Sequence, residues 1–120
     1  MGDFKKLMAY QKAYALAKDI QSASKSFPAE EKYSLTDQIR RSSRSVCANL
    51  AGAYRKRRYK AHFISKLSDA ESENAETSVW LDFSADFKYL PTEMFDDFMF
   101  RNNEVGKLLS FMIDNPDKFL

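Results

Sequence analysis

Residues 35–73 read LTDQIRRSSRSVCANLAGAYRKRRYKAHFISKLSDAESE, two helical patterns with a run of cations between them. In the first, Leu35, Ile39, Ser42, Val46, Asn49 or Leu50, and Ala53 recur every three or four residues, which draws one stripe along a helix. In the second, Phe63, Leu67, Ala70, Glu71 and Asn74 keep the period, and Ser78, Leu81 and Ala85 continue it. These patterns predict one helix over residues 34–54 and another over 60–87. Neither Gly nor Pro falls within Tyr54–Tyr59. A turn is nevertheless expected there, just past Gly52, because a single helix through both patterns (about 50 residues, several times the usual length) could not close a compact domain.

Working outward, Leu7, Tyr10, Tyr14, Ala17, Ile20 and Ser24 predict a first helix over residues 4–24. Ser26-Phe27-Pro28 ends it, since Pro disfavours helical geometry in the residue before it, and Pro28 with Glu30 and Glu31 suits a fresh turn. Downstream, Leu90-Pro91-Thr92 reads as a stop followed by an N-cap at Thr92. Phe95, Phe98, Met99, Val105, Leu108, Leu109 and Met112 then mark a last helix that finishes before Asn115-Pro116. Four helices with short connections imply an all-α, antiparallel up-down-up-down four-helix bundle, one domain over residues 1–120.

Composition narrows the class. Three Gly and three Pro in 120 residues leave little material for the turns of an all-β fold. No apolar stretch approaches the ~20 residues needed to cross a bilayer, so no membrane association is expected. The opening MGDFKKLMAYQK has no apolar signal segment, and Met1-Gly2 is not followed by the Ser/Thr that myristoylation favours. A lone Cys47 excludes an internal disulfide, and a cytoplasmic location is expected.

The net charge of +2 conceals a division. Residues 37–66 hold nine Lys/Arg against Asp37 alone, while residues 67–120 hold four against twelve Asp/Glu. A chain so divided suits a charged partner, or a copy of itself that offers the complementary face.

Within this chain, LTDQIRR (35–41) and SVCANLA (45–51), with DFKKLMAYQKAYALA before them and FSADFKYL after, resemble the 23S ribosomal-RNA intervening-sequence proteins. The resemblance runs from Phe4 to about Met112. Those proteins are four-helix bundles, similar in turn to the accessory bundle proteins of diversity-generating retroelements. The latter form pentameric rings and engage nucleic acid and a reverse transcriptase. The resemblance therefore implies a homo-oligomer, a pentamer, with nucleic acid or a protein as partner. Three positions depart from the family pattern: Cys47 stands where many members have Pro, Gly52 where most have Glu, and Ala53 where a Gly is common.

The candidate binding residues are Arg55, Lys56, Arg57, Arg58, Tyr59 and Lys60 at the expected turn, with Arg40, Arg41 and Arg44 along the second helix. Phosphate backbones reward clustered cations by counterion release, and Tyr54 and Tyr59 offer faces to unpaired bases. RNA or DNA is one expected partner. The same charges also suit head-to-tail assembly, or a solvated bundle end, and the acidic third and fourth helices offer a surface to another protein. Asn49, Glu71 and Asn74 interrupt apolar stripes and read as a structural polar layer, with Arg40 or Arg44 expected near Glu71. Carboxylate-bridged metal bundles need Glu-x-x-His pairs, and His62 has Tyr59 and Ser65 as its third neighbours, so no metal is expected. Cys47 has no base positioned beside it, glycine-rich phosphate loops are absent, and Trp80 with Phe83 and Phe87 reads as core or subunit interface. Neither a cofactor nor enzymatic activity is expected.

Overall fold

The structure, a computed structural model, describes residues 3–120; Met1-Gly2, and with them the myristoylation reading, lie outside the described residues. Four helices account for most of the chain: α1 (Met8–Ala23), α2 (Leu35–Arg55), α3 (Lys60–Asp86) and α4 (Thr92–Asp114). Among the described residues there is no strand.

Two boundaries differ from the expected ones. The first helix starts at Met8, because Leu7 is extended (φ −66°, ψ 132°) and separates it from a 3-10 turn over Phe4–Lys6. Asp3 caps that turn, its carboxylate accepting from the Lys5 backbone N–H at 3.0 Å. Thr92 is the first residue of α4 rather than its cap; Pro91, extended, holds the cap position with no side-chain hydrogen bond. Proline's fixed φ orients the entering chain without needing a donor.

The break between α2 and α3 is made without glycine. Gly52 is helical, and a Cβ there would meet only the Lys66 stem at 3.6 Å. Instead the Arg57 Nε donates to the Tyr54 carbonyl at 2.8 Å, satisfying one of the acceptors a helix end leaves open. Tyr59 then turns extended and opens α3. The far end of α3 closes with a Schellman motif: Tyr89 N–H donates to the Ser84 carbonyl at 2.8 Å and Lys88 N–H to Ala85 at 2.9 Å. Lys88 occupies the left-handed position usually given to glycine, with φ 63°.

Each helix packs on two neighbours, α1 on α2 and α4, and α3 on α2 and α4. Cross-helix contacts run in opposite senses along every pair. Lys66 reaches Asn49 while Thr77 meets Ser42, Glu71 meets Ser110 while Ser78 meets Asn102, and Ser24 meets Arg40 while Gln21 meets Arg44. On the fourth side Lys12 pairs with Glu104, and Asp19 with Arg101.

Two apolar clusters fill the interior, one around Leu50, Phe63, Leu67 and Leu109, the other around Ile20, Ile39, Leu81 and Phe98. A polar belt separates them at mid-height. Ser42 and Ser43 lie between Ile39 and Val46, Asn74 and Thr77 between Ala70 and Leu81, and Asn102 between Phe98 and Val105; all five are buried. Asn74 Nδ2 donates to the Asn102 carbonyl and to its side-chain oxygen, both at 3.0 Å. Asn102 Nδ2 returns bonds to the Asn74 carbonyl (2.9 Å) and to Ser78 Oγ (2.8 Å). The Ser42 and Thr77 hydroxyls lie 2.8 Å apart. Buried amides without partners would cost several kcal/mol, roughly 1–3 each, so the exchange is needed for the layer to exist at all.

The three residues read as one polar layer do not form one. Asn74 does belong to the belt, with Asn102 as its partner. Asn49 sits on the α2/α3 side, where its Oδ1 accepts from Lys66 Nζ at 3.3 Å. Glu71 faces α4 and accepts from Ser110 Oγ at 2.8 Å, while Arg40 and Arg44 both turn toward α1. Their positions on opposite flanks of the bundle rule out the expected Arg–Glu71 pair.

Asn102→Ala should lower the unfolding free energy by about 2–3 kcal/mol in urea denaturation, because it removes three of the four hydrogen bonds of the exchange and leaves Asn74 Nδ2 only the Asn102 carbonyl. A loss below about 0.5 kcal/mol would mean that the belt is incidental to stability.

Candidate nucleic-acid interface

Nine side chains were expected to make one basic surface, and packing divides them. Arg40 is half-buried, its Nε donating to Ser24 Oγ at 2.8 Å, which ties α2 to the end of α1. Arg41 is exposed but sits among acids, 3.7 Å from Asp37 one turn earlier and near Glu73 on α3. Burial, followed by the hydrogen bond and charge of Glu76, raises the Glu73 carboxyl, while Ser45 and Arg41 oppose the shift. Arg44 is exposed and donates to Gln21 Oε1 across the α1/α2 surface.

At the turn the division is sharper. Arg57 lies flat on Tyr54, its guanidinium carbon 3.5 Å from the ring centroid, and Nη1 reaches the Phe119 carbonyl at 3.4 Å. With Nε on the Tyr54 carbonyl, that guanidinium is committed to holding the turn and the C-terminal tail. It also covers one face of Tyr54, leaving Tyr59 as the open ring of the pair, exposed and 5.6 Å from His62. Lys60 pairs with Asp117 at 3.0 Å, both exposed, so the pair is weak. Arg55, Lys56 and Arg58 are exposed and make no ion pair among the described residues. The cations left free for a ligand are thus Arg55, Lys56 and Arg58, with Arg44 up the helix.

Arg44 opens onto a groove of about 620 Å³ between α1 and α2. Its floor includes Cys47, Ala48 and Ala51 of α2, and its wall is Phe4, Tyr10 and Tyr14, with Lys18 on the rim. Tyr10 and Tyr14 lie on the same sequence stripe as the buried Ala17 and Ile20. In the structure Tyr14 is 48% exposed and Tyr10 half-buried. Their i,i+4 spacing was visible, but a phenol on an apolar stripe does not by itself say which ring faces inward. Burial pushes the Cys47 thiol up to about 11, so it is neutral and a poor nucleophile at pH 7. The Tyr10 phenol is also raised, by burial first and then by Cys47, Tyr14 and Asp3.

On the opposite side of the bundle, α3 and α4 enclose a second groove of about 970 Å³ with Glu71, Glu104, Asp114 and Lys107 along it. Phe100 and Phe111 stand exposed at its edge. Trp80, Phe83 and Phe87 are stacked along α3 near Tyr33, with Phe83 and Phe87 about half exposed.

The sequence profile of the 23S rRNA-intervening sequence proteins matches residues 5–111. The chain belongs to this family. Among solved structures, this intervening-sequence protein is similar to a protein with unknown function from the S23 ribosomal protein family of Bacteroides thetaiotaomicron VPI-5482. The two are 30% identical, the match covers 88% of this chain and 95% of that one, and the TM-score is 0.81. No curated protein matches the chain. The family match ends before the tail residues Asp117 and Phe119 that Lys60 and Arg57 hold.

In this intervening-sequence protein, neighbouring arginines should behave differently. Arg57→Ala should cost about 1–2 kcal/mol in thermal or urea unfolding, because it removes the carbonyl cap and the stacked cation. Arg58→Ala should change stability by less than about 0.5 kcal/mol. Equal effects would show that Arg57 is as loosely held as its neighbour.

Proposed function

We propose that this chain is a non-catalytic, oligomeric, cytoplasmic protein that binds the phosphate backbone of RNA or DNA through the α2–α3 turn and the adjoining face of α2. The observation that carries this reading is the group Arg55, Lys56 and Arg58, three exposed cations within four residues with no acidic partner among the described residues. Crowded like charges repel, and nothing in the fold uses these three. A row of phosphates relieves the repulsion and releases its own counterions on contact. The family description names 23S rRNA, which makes an RNA hairpin the first ligand to try. Catalysis has no part in the reading, since the Cys47 thiol is held neutral and His62 is an exposed residue packed beside Tyr59.

A second reading is favoured by the α3/α4 groove. Phe100 is 68% exposed there, among Glu71, Glu104 and Asp114 with Lys107, and exposed rings in a largely acidic rim suit a protein partner. A second copy of the chain offers the opposite charge on its α1/α2 side, and contacts between two different faces generate rings when the rotation closes. A pentamer is the ring we propose, and such a ring would collect several basic turns and raise avidity.

Fluorescence anisotropy with a labelled RNA hairpin, single-stranded RNA and duplex DNA at ~50 and ~200 mM salt tests the first reading. Four phosphate contacts on a single strand predict a fall in affinity of about 50-fold between the two salts. The charge-reversed protein (Arg55→Glu, Lys56→Glu, Arg58→Glu, with Arg57 left intact) should lose binding while light scattering reports an unchanged assembly. Absence of binding by the intact protein at low salt would refute the phosphate site and leave the charges to assembly.

A further inference from the structure

Phosphate contact alone leaves the α1/α2 groove unexplained. Its apolar lining consists of rings, alanines and Cys47, with no Leu, Ile, Val or Met. Phe4 meets Tyr10 edge-on at 5.1 Å, and Tyr10 meets Tyr14 at 5.8 Å, so three rings follow one another along the wall. Lys18 Nζ stands 5.7 Å from the Tyr14 centroid, and Arg44 is steadied at the same end by Gln21. No carboxylate lines the groove. Its charged lining residues are Lys18 and Arg44, both cations.

We infer that this groove is a track for unpaired nucleotides, whose bases lie against Phe4, Tyr10 and Tyr14 while Lys18 and Arg44 take their phosphates. The inference rests on the nucleic-acid reading above and names the strand state that the protein selects. Aromatic faces beside cations bind single strands without regard to sequence, because every base has a face to stack. A duplex keeps its bases inside and gains nothing from the rings. Small residues keep the track open: Arg44, Ala48, Ala51 and Arg55 succeed one another at steps of four, three and four, one stripe on α2. That stripe carries the track about 16 Å from Arg44 to the free cations of the turn. An acidic helix of another copy would also meet Lys18 and Arg44. Rings and arginine suit either occupant, but protein interfaces are depleted in the alanine and lysine that make this floor and rim.

The test compares a fluorescein-labelled 12-nucleotide uridine-rich RNA with a labelled duplex of the same length, in anisotropy at ~50 mM salt. Tyr14→Leu is the informative variant because the ring is half exposed, and Tyr14→Phe keeps the stacking face. Single strand should bind at least about tenfold more tightly than duplex, and Tyr14→Leu should weaken it at least about fivefold. The same variant should leave duplex affinity and the salt slope unchanged, and Tyr14→Phe should match the parent. Equal binding of both nucleic acids, unmoved by Tyr14→Leu, would overturn the track while the phosphate site at the turn stood. A changed oligomer mass for Tyr14→Leu in light scattering would also overturn it, by making the groove an interface between copies. Failure of the parent protein to bind either RNA would remove both readings together.

Discussion

Asn74 and Asn102 meet at the centre of the bundle, each amide donating to the other residue's chain, and this exchange locks α3 against α4 at one height. An apolar core tolerates sliding by a helical turn at modest cost, because one leucine replaces another. A buried amide does not, since a shifted register would leave its donors without acceptors. Gly106 shows how close the fit is: a Cβ at that position would stand 2.8 Å from Asn74 Oδ1. With Ser42 and Thr77 adding a link between α2 and α3 at the same level, the belt sets which residues face outward above and below it. Arg44 and Tyr14 open onto one groove, and Glu71 and Phe100 onto another, as consequences of that register.

Much of this was legible in the chain. The three- and four-residue spacing marks all four helices, and the length argument with Gly52 just upstream places the turn among Tyr54–Tyr59, although Gly52 is itself helical and no residue of the turn is a conventional breaker. What the sequence could not convey is which polar residue completes another. Asn102 reads as a gap in an apolar stripe until α4 is set beside Asn74. Arg57 reads as one more cation until its guanidinium is seen lying on Tyr54, bonded to the carbonyl that ends α2. Glu71 was assigned the wrong neighbour because i,i+4 periodicity gives a face, and a face of a bundle helix borders two partners.

Segregated charge in one dimension becomes opposed faces in three. The helices follow one another around the bundle, so the α1/α2 side with its free cations lies opposite the acidic α3/α4 side. Local pairing then decides which charges remain available. Arg40, Arg57 and Lys60 serve the protein's own ends, and Arg41 is balanced by acids. The remaining set runs from Lys18 and Arg44 to Arg55, Lys56 and Arg58, with the ring wall beside its upper part.

Photocross-linking tests the proposed ligand-bearing surface directly. Single-stranded RNA carrying 4-thiouridine would be irradiated in complex with the protein, and the adducts located by mass spectrometry of the digested chain. Adducts on Phe4, Tyr10, Tyr14 and Tyr59 are predicted, with none on Phe100 or Phe111 across the bundle. Adducts confined to the α3/α4 face would contradict the account, because they would place the nucleic acid against the acidic groove and away from Arg44 and the free cations of the turn.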